Sequence, residues 1–388
     1  MGLQQPCCAS TNKKNLTNEN APTSNQNGYN KVGETPIANP NINGLNPNPS
    51  QSSALQNSTN ANLNQNQLMA SNLVSSQNAM SLSNSVRSLK LNESINNSTL
   101  NMGNPYTCIK TFEAHKEKIV SLIELDSGNI ASGSYDCTIR IWDIQTQTCI
   151  KIIQESGHVL CLLEFQPNLL LSGNDNNTIQ LWDINNPSKA IFSFEKHLLW
   201  VNCLVKCNDD YFASASNDSD IIIWSWQERE CANVLRGHTN CVLALIQLND
   251  ENLCSGSVDL TLKIWDWVNG NCLKTLEGHT KWVKSICQLS NGYILSGSDD
   301  KTIKVWNNFT LFRDLAGHTK SVRSLCQLSN NLFASASFDK TIKIWDINTL
   351  APLQTLEGHK HNVICIILHS SGYLISCSAD HTIKIWKN

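Results

Sequence analysis

Seven tryptophans at near-constant spacing constrain this chain more than any other feature. Trp142, Trp182, Trp224, Trp265, Trp306, Trp345 and Trp386 follow one another at intervals of 39 to 42 residues. Ten residues before each stands a serine: Ser132, Ser172, Ser214, Ser255, Ser296, Ser335 and Ser376. Six residues before stands an aspartate (Asp136, Asp218, Asp259, Asp300, Asp339, Asp380), except in the second unit, which has Asn176. Farther upstream come His115, His158, His197, His238, His279, His318 and His359; the His-to-Trp distance is 27 in six units and 24 in the second. A period of this length marks a supersecondary unit repeated along the chain.

Inside each unit the pattern is one of strands. In the fifth, VKSICQL at 283–289 alternates apolar and polar residues, and a turn then leads into YILSGS. A tight turn built on Asp follows, then TIKVW, then a looser apolar stretch that ends near the next Gly-His, as CLKTLEGH does at 272–279. Short β-rich runs divided by turn residues predict four antiparallel strands per unit. Aspartate suits the turn because its carboxylate accepts backbone N–H groups there. Four short strands bury too little apolar surface alone, so the units must stack, and a radial array lets each cover its neighbour.

These residues resemble the WD-repeat β-propeller family, over residues 105–388. Gly237-His238, Gly278-His279, Gly317-His318 and Gly358-His359 match its GH signature, and Trp142-Asp143, Trp182-Asp183, Trp265-Asp266 and Trp345-Asp346 its WD signature. The resemblance implies an all-β, seven-bladed propeller with strands a to d in each blade, a innermost. It also implies hydrogen-bonded His–Ser–Asp–Trp tetrads: His115, Ser132, Asp136, Trp142; His238, Ser255, Asp259, Trp265; His279, Ser296, Asp300, Trp306; His318, Ser335, Asp339, Trp345; and His359, Ser376, Asp380, Trp386. Buried indole, hydroxyl, imidazole and carboxylate groups need one another as partners. The second unit departs with Asn176 and its shortened span. The third departs with Lys196, Asp220 and Trp224-Ser225. Tetrads are expected in the other five.

The chain stops at TIKIWKN, 382–388, one strand short of a complete unit, while YTCIKTFEAH at 106–115 reads as a fourth strand with no unit before it. The two ends are therefore expected to pair and close the ring, as the family does, which hides both edges from intermolecular pairing.

The first 104 residues contain 25 Asn and a single aromatic, Tyr29. Such a segment cannot bury enough apolar surface to offset its ordering entropy and is expected to be a disordered tail before the propeller. It carries a net charge of about +2, against −5 for the remaining 284 residues, which excludes the basic surface that nucleic acid requires. No secretory h-region is seen, and apolar runs such as VICIIL at 363–368 are too short to span a bilayer, so a cytoplasmic setting is expected, with the nucleus or the cytoplasmic face of a membrane as alternatives. The sixteen cysteines lack CxxC spacing and are expected to be reduced, small apolar residues. Met1-Gly2 with Cys7-Cys8 and Lys13-Lys14 matches a dual-lipidation pattern, myristate on Gly2 and palmitate on Cys7 or Cys8. Pro6 stands where Ser or Thr is preferred, so an unmodified start is the other reading.

A His–Ser–Asp arrangement recurring in six of seven units is architecture, since catalysis needs one site. No phosphate loop, GxSxG or HExxH occurs, and neither catalysis, a metal nor a cofactor is expected. Positions three and five after each His flank an apolar residue and are turned toward the channel mouth: Lys118, Trp200, Asn202, Trp282, Lys284, Arg323 and Asn362. The residue before each turn Asp adds Tyr135, Asn217, Val258, Asp299, Phe338 and Ala379. Trp282, Lys284, Arg323 and Phe338 place two aromatics beside two cations, the composition of a peptide-binding hot spot. The alternative has Trp200 and Trp282 packing sideways between blades. The expected function is a scaffold that binds peptides or domains of other proteins on its rim, one propeller within a larger complex. Two further readings are a ubiquitin-ligase substrate receptor for phosphorylated motifs and a G-protein β-like subunit. The first lacks an F-box-like helical block in 1–104, and the second lacks an N-terminal coiled coil.

Overall fold

A computed structural model describes residues 105–349 and 351–388 of the protein. The expected disordered tail, 1–104, with Gly2, Cys7 and Cys8, lies outside the described residues. Alternating apolar and polar residues form 28 strands among the described residues, arranged in seven four-stranded antiparallel sheets. Blade 1 consists of Ile119–Glu124, Ile130–Ser134, Thr138–Asp143 and Thr148–Gln154, and the next five blades repeat this order along the chain.

The b-to-c turn is built the same way in every blade. The residue after the turn Asp or Asn adopts a left-handed conformation in all seven, with φ between 61° and 76° (Cys137, Asn177, Ser219, Leu260, Lys301, Lys340, His381). None of these is β-branched, in keeping with the steric cost of that region. Close approach explains the glycine of the GH pair. A Cβ on Gly317 would lie 2.9 Å from the edge of the Trp345 ring.

Strand b is buried on both faces in every blade and strand d mostly exposed, so the ring grows more polar outward. Strand b of one blade packs against strand a of the next. Leu295, Val305 and Leu315 of blade 5 form one cluster with Val322, Phe333 and Trp345 of blade 6. Seven such clusters fill the seven gaps between blades, each made by two neighbouring sheets. No blade owns a whole core, which is why the array has to close.

Closure comes from the two chain ends. Blade 7 holds Val363–Leu368, Leu374–Ser378 and Thr382–Lys387, and its fourth strand is Thr107–Glu113. The register runs from Thr107 opposite Lys387 to Glu113 opposite Thr382. Phe112 and Ala114 then join the cluster between blades 7 and 1. Tyr106 enters the one between blades 6 and 7, where its backbone makes two hydrogen bonds with the Gln354 amide, at 3.0 and 2.9 Å.

Candidate functional site

The recurring polar network is built first, because it sets where the rim begins. In blade 5 the Trp306 indole N–H donates to Ser296 Oγ at 2.8 Å, and Ser296 lies 2.7 Å from His279 Nε2. His279 Nδ1 faces Asp300 at 2.7 Å, and that carboxylate also accepts the Thr280 N–H and the Thr302 N–H and hydroxyl. Every donor in this four-residue network has an acceptor. The same bonds are present in blades 1, 4, 6 and 7. They are present also in blade 3, where His197, Ser214, Asp218 and Trp224 complete the set despite the departures in that unit. Asp220 takes the place of the turn Thr there and only loses the hydroxyl bond. Burial pushes the Asp136 carboxyl up, but hydrogen bonds from Thr138, Lys116 and His115 outweigh it and hold it down to about 2. Burial lowers His115 to about 4 against the upward pull of Asp136.

Blade 2 is different. Glu155, not His158, occupies the buried seat of the imidazole. Trp182 Nε1 donates to Glu155 Oε1 at 2.8 Å, the Ser172 hydroxyl donates to the same oxygen, and Asn174 and the Ser156 N–H reach the other oxygen. A carboxylate offers only acceptors, so the indole and the hydroxyl both point at it. No imidazole N–H remains to be answered, which fits the neutral Asn176 at the turn. Burial pushes the Glu155 carboxyl up, opposed by these donors. The signal lies in the sequence: Glu155 stands 27 residues before Trp182, the distance at which the other six units carry histidine. Alignment on His158 missed it.

His158 is thereby released to the channel mouth, its side chain 41 % exposed, and its Nδ1 meets Asp175 at 2.7 Å. The Tyr135 ring stacks on it at 4.5 Å with 10° between planes, and Lys118 Nζ lies 3.5 Å from the Tyr135 centroid on the ring face. Cation, phenol and imidazole thus form one column across blades 1 and 2, an arrangement that the attraction of a ring face for a cation favours.

The rest of the rim obeys one rule. The N–H of each residue before the turn Asp or Asn donates to the carbonyl of the rim residue at the start of strand a: Tyr135 to Lys118, Asn217 to Trp200, Asp299 to Trp282, Phe338 to Ser321 and Ala379 to Asn362. These pairs line the mouth. In all seven blades the first residues of strand a carry a register shift, and the extra residue is Val120, Leu160, Asn202, Leu243, Lys284, Arg323 or Ile364. Such a bulge re-aims its side chain.

Lys284 and Arg323 are brought together, as are Trp282 and Phe338. Lys284 Nζ lies 5.1 Å from the Trp282 ring centroid and 5.4 Å from that of Phe338, and Arg323 Nη1 donates to the Lys284 carbonyl at 3.2 Å. Lys284 is buried and pairs with Asp299 at 3.1 Å, while Asp299 also accepts the Ser321 hydroxyl. It therefore braces two blades instead of offering a free charge. Trp200 and Trp282 are both half-buried. Trp200 stands beside Leu198 and Leu199, which are 78 % and 46 % exposed, whereas the matching loops of the other blades carry polar pairs such as Thr280-Lys281 or Thr319-Lys320. Among the described residues no group of three or more His, Cys, Asp or Glu is placed to hold a metal ion, and no helix is long and apolar enough to cross a membrane.

Partial similarities link the chain to several differently named proteins. The chain is 37 % identical over 151 residues to Protein Notchless of Drosophila melanogaster, covering 35 % of this chain and 30 % of that protein. It is 25 % identical over 135 residues to Mitochondrial division protein 1 of Kluyveromyces lactis, covering 35 % and 16 %. It is 25 % identical over 133 residues to the E3 ubiquitin-protein ligase COP1 of Pisum sativum, covering 33 % and 20 %. The chain thus spans less than a third of the length of each of these relatives. The family model for the WD domain, G-beta repeat, matches seven segments: 106–143, 147–183, 188–225, 229–266, 270–307, 309–346 and 350–387. Each matched segment carries the fourth strand of one sheet and the first three of the next, and the chain belongs to the WD domain, G-beta repeat family.

Proposed function

We propose that this propeller is a non-catalytic protein-interaction scaffold whose partners, peptides or domains of other proteins, dock across the channel mouth. The observation that carries the reading is how unevenly the rim is dressed. Beneath it the hydrogen-bond frame repeats in every blade; at the rim, Trp282, Phe338, Arg323, Lys118, Tyr135 and His158 gather on blades 5, 6, 1 and 2. Stability needs the frame and not this clustering, and aromatic residues beside arginine are what binding hot spots use. The relatives carry unlike names, one for mitochondrial division and one for a ubiquitin ligase, which supports a general scaffold over any one pathway.

The test is affinity capture with the full chain, comparing the parent with the double variant Trp282→Ala, Phe338→Ala. The reading expects capture to be lost while the thermal midpoint stays within a few degrees of the parent. Unchanged capture, or a variant that unfolds, would sink it. The membrane surface enters only through Gly2, Cys7 and Cys8. If they are acylated, full-length protein from its native cell sediments with membranes and Gly2→Ala does not.

A further inference from the structure

Blade 7 breaks a size rule that the other six blades keep. Directly after the bulge, one residue of strand a stands opposite one of strand b. The strand b partner is Gly133, Gly173, Ala215, Gly256, Gly297 or Ala336 in blades 1 to 6, and Cys377 in blade 7. Crowding explains the small residues. A Cβ on Gly173 would lie 2.5 Å from the sulfur of its own partner, Cys161, and 2.8 Å from Val201 of the next blade. Blade 7 puts a whole thiol in that seat, fully buried, and its strand a partner is a second thiol, Cys365. Among the described residues no other register pair joins two cysteines.

Opposed residues of an antiparallel pair have Cα atoms about 4.5 or 5.5 Å apart, and a disulfide needs about 4.4–6.8 Å. The register alone therefore holds Cys365 and Cys377 at bonding separation. Opposed side chains also leave the sheet on one face. Cys377 Sγ donates to the Ile119 carbonyl at 3.5 Å, and Cys365 Sγ lies 4.0 Å from that of Leu122, so both sulfurs lie against strand a of blade 1. They share the cluster where the chain ends close the ring, and both are free thiols.

The two are unlike in character. Cys365, on the innermost strand, is half-buried, whereas Cys377 has no exposed surface. A hydrogen bond from Cys377 holds the Cys365 thiol below its ordinary range, against the effect of burial, and burial pushes Cys377 well up. An accessible thiolate beside a protonated partner lets one sulfur react and the other resolve.

We propose that Cys365 and Cys377 form an oxidisable pair that a hydroperoxide converts to a disulfide across strands a and b of blade 7. With hydrogen peroxide, the Cys365 thiolate attacks one oxygen. An S–O bond forms, the O–O bond breaks, and the departing hydroxide recovers the proton that Cys365 released, leaving as water. The Cys377 sulfur then attacks the Cys365 sulfenic acid. An S–S bond forms, the S–O bond breaks, and the Cys377 proton leaves with the oxygen as a second water. Each sulfur gives up one electron and the peroxide takes two. This chemistry is independent of any partner docked at the channel mouth.

The test is mass spectrometry of the full chain, reduced, freed of reductant, treated with hydrogen peroxide, then unfolded and alkylated. Trypsin releases 361–384 as one peptide that holds both cysteines. The treated peptide should be lighter by two hydrogens and resist alkylation. Cleavage after Tyr373 should leave its halves joined until dithiothreitol separates them. The disulfide should form about tenfold or more faster than Cys207 and Cys254 oxidise, two thiols that burial pushes up. Cys377→Ala, which installs the residue of blades 3 and 6, should stop the reaction at a sulfenic acid on Cys365 that dimedone traps. Should that variant fail to fold, Cys365→Ser, the residue of blades 1, 5 and 6, must leave Cys377 unoxidised at the same dose. Two alkylated cysteines in 361–384 after treatment, a bridge from Cys365 to a different cysteine, or a disulfide that forms no faster than Cys254 oxidises overturns the proposal.

Discussion

Trp182 donates its indole N–H to Glu155 at 2.8 Å, in the seat that histidine fills in the six other blades. The exchange keeps the buried donors satisfied and leaves the serine a donor, to a carboxylate here and to an imidazole nitrogen elsewhere, while the indole donates to the carboxylate as well as to Ser172. It also places the displaced histidine on the rim, where it stacks under Tyr135.

Replacing Glu155 tests that exchange. Glu155→Ala strands the Ser172 donor in a buried site, leaves Trp182 only its bond to Ser172 at 3.1 Å, and should cost about 2–4 kcal/mol in urea unfolding. Glu155→His combined with Asn176→Asp rebuilds the bonding of the other blades and should recover most of the loss. Glu155→His alone, which leaves the imidazole facing an amide, should recover less.

Acid should reveal His115. Its imidazole sits near 6.5 in the unfolded chain and about 4 in the fold, lowered chiefly by burial. Between those values the unfolded chain takes up a proton that the folded chain refuses. Stability therefore falls as pH drops from 6.5 to 4, by up to about 3 kcal/mol, and this contribution levels off below. Urea midpoints measured across that range should slope less in His115→Gln. Asp136 acts lower. Held at about 2 in the fold against 3.8 unfolded, its contribution is present above 3.8 and lost as pH falls toward 2.

Removing residues 105–113 leaves strand Thr382–Lys387 as an open edge and takes Tyr106 and Phe112 out of two interblade clusters. The truncated protein should aggregate or elute as an expanded species on size exclusion and digest faster with protease. A truncation as compact and heat-resistant as its parent would contradict closure by the chain ends.

Asp299 braces the rim by pairing with Lys284 and accepting the Ser321 hydroxyl. Asp299→Ala takes the carboxylate away from Lys284 next to Arg323 and should lower stability by about 1–3 kcal/mol in thermal or urea melts. Adding Lys284→Met should return part of that loss, because the buried charge goes with it.

Much of the architecture was legible from spacing alone. A 39-to-42-residue period with fixed Ser, Asp and Trp offsets demands one unit repeated, and the resemblance to the propeller family implied that 106–115 pairs with 382–387, as it does. These features are local or periodic, so hydrophobic alternation and turn chemistry suffice to state them. The third network was misjudged for the opposite reason. Asp220 and Ser225 flank it, but neither is one of its four bonding groups, and Asp218 still closes on His197. Only the folded ring decided that Glu155 takes the histidine seat, that Lys284 is spent on Asp299, and that Tyr135 of blade 1 stacks on His158 of blade 2. Burial and charge pairing join residues on different blades, and no spacing along one strand records how far apart two blades stand across the channel.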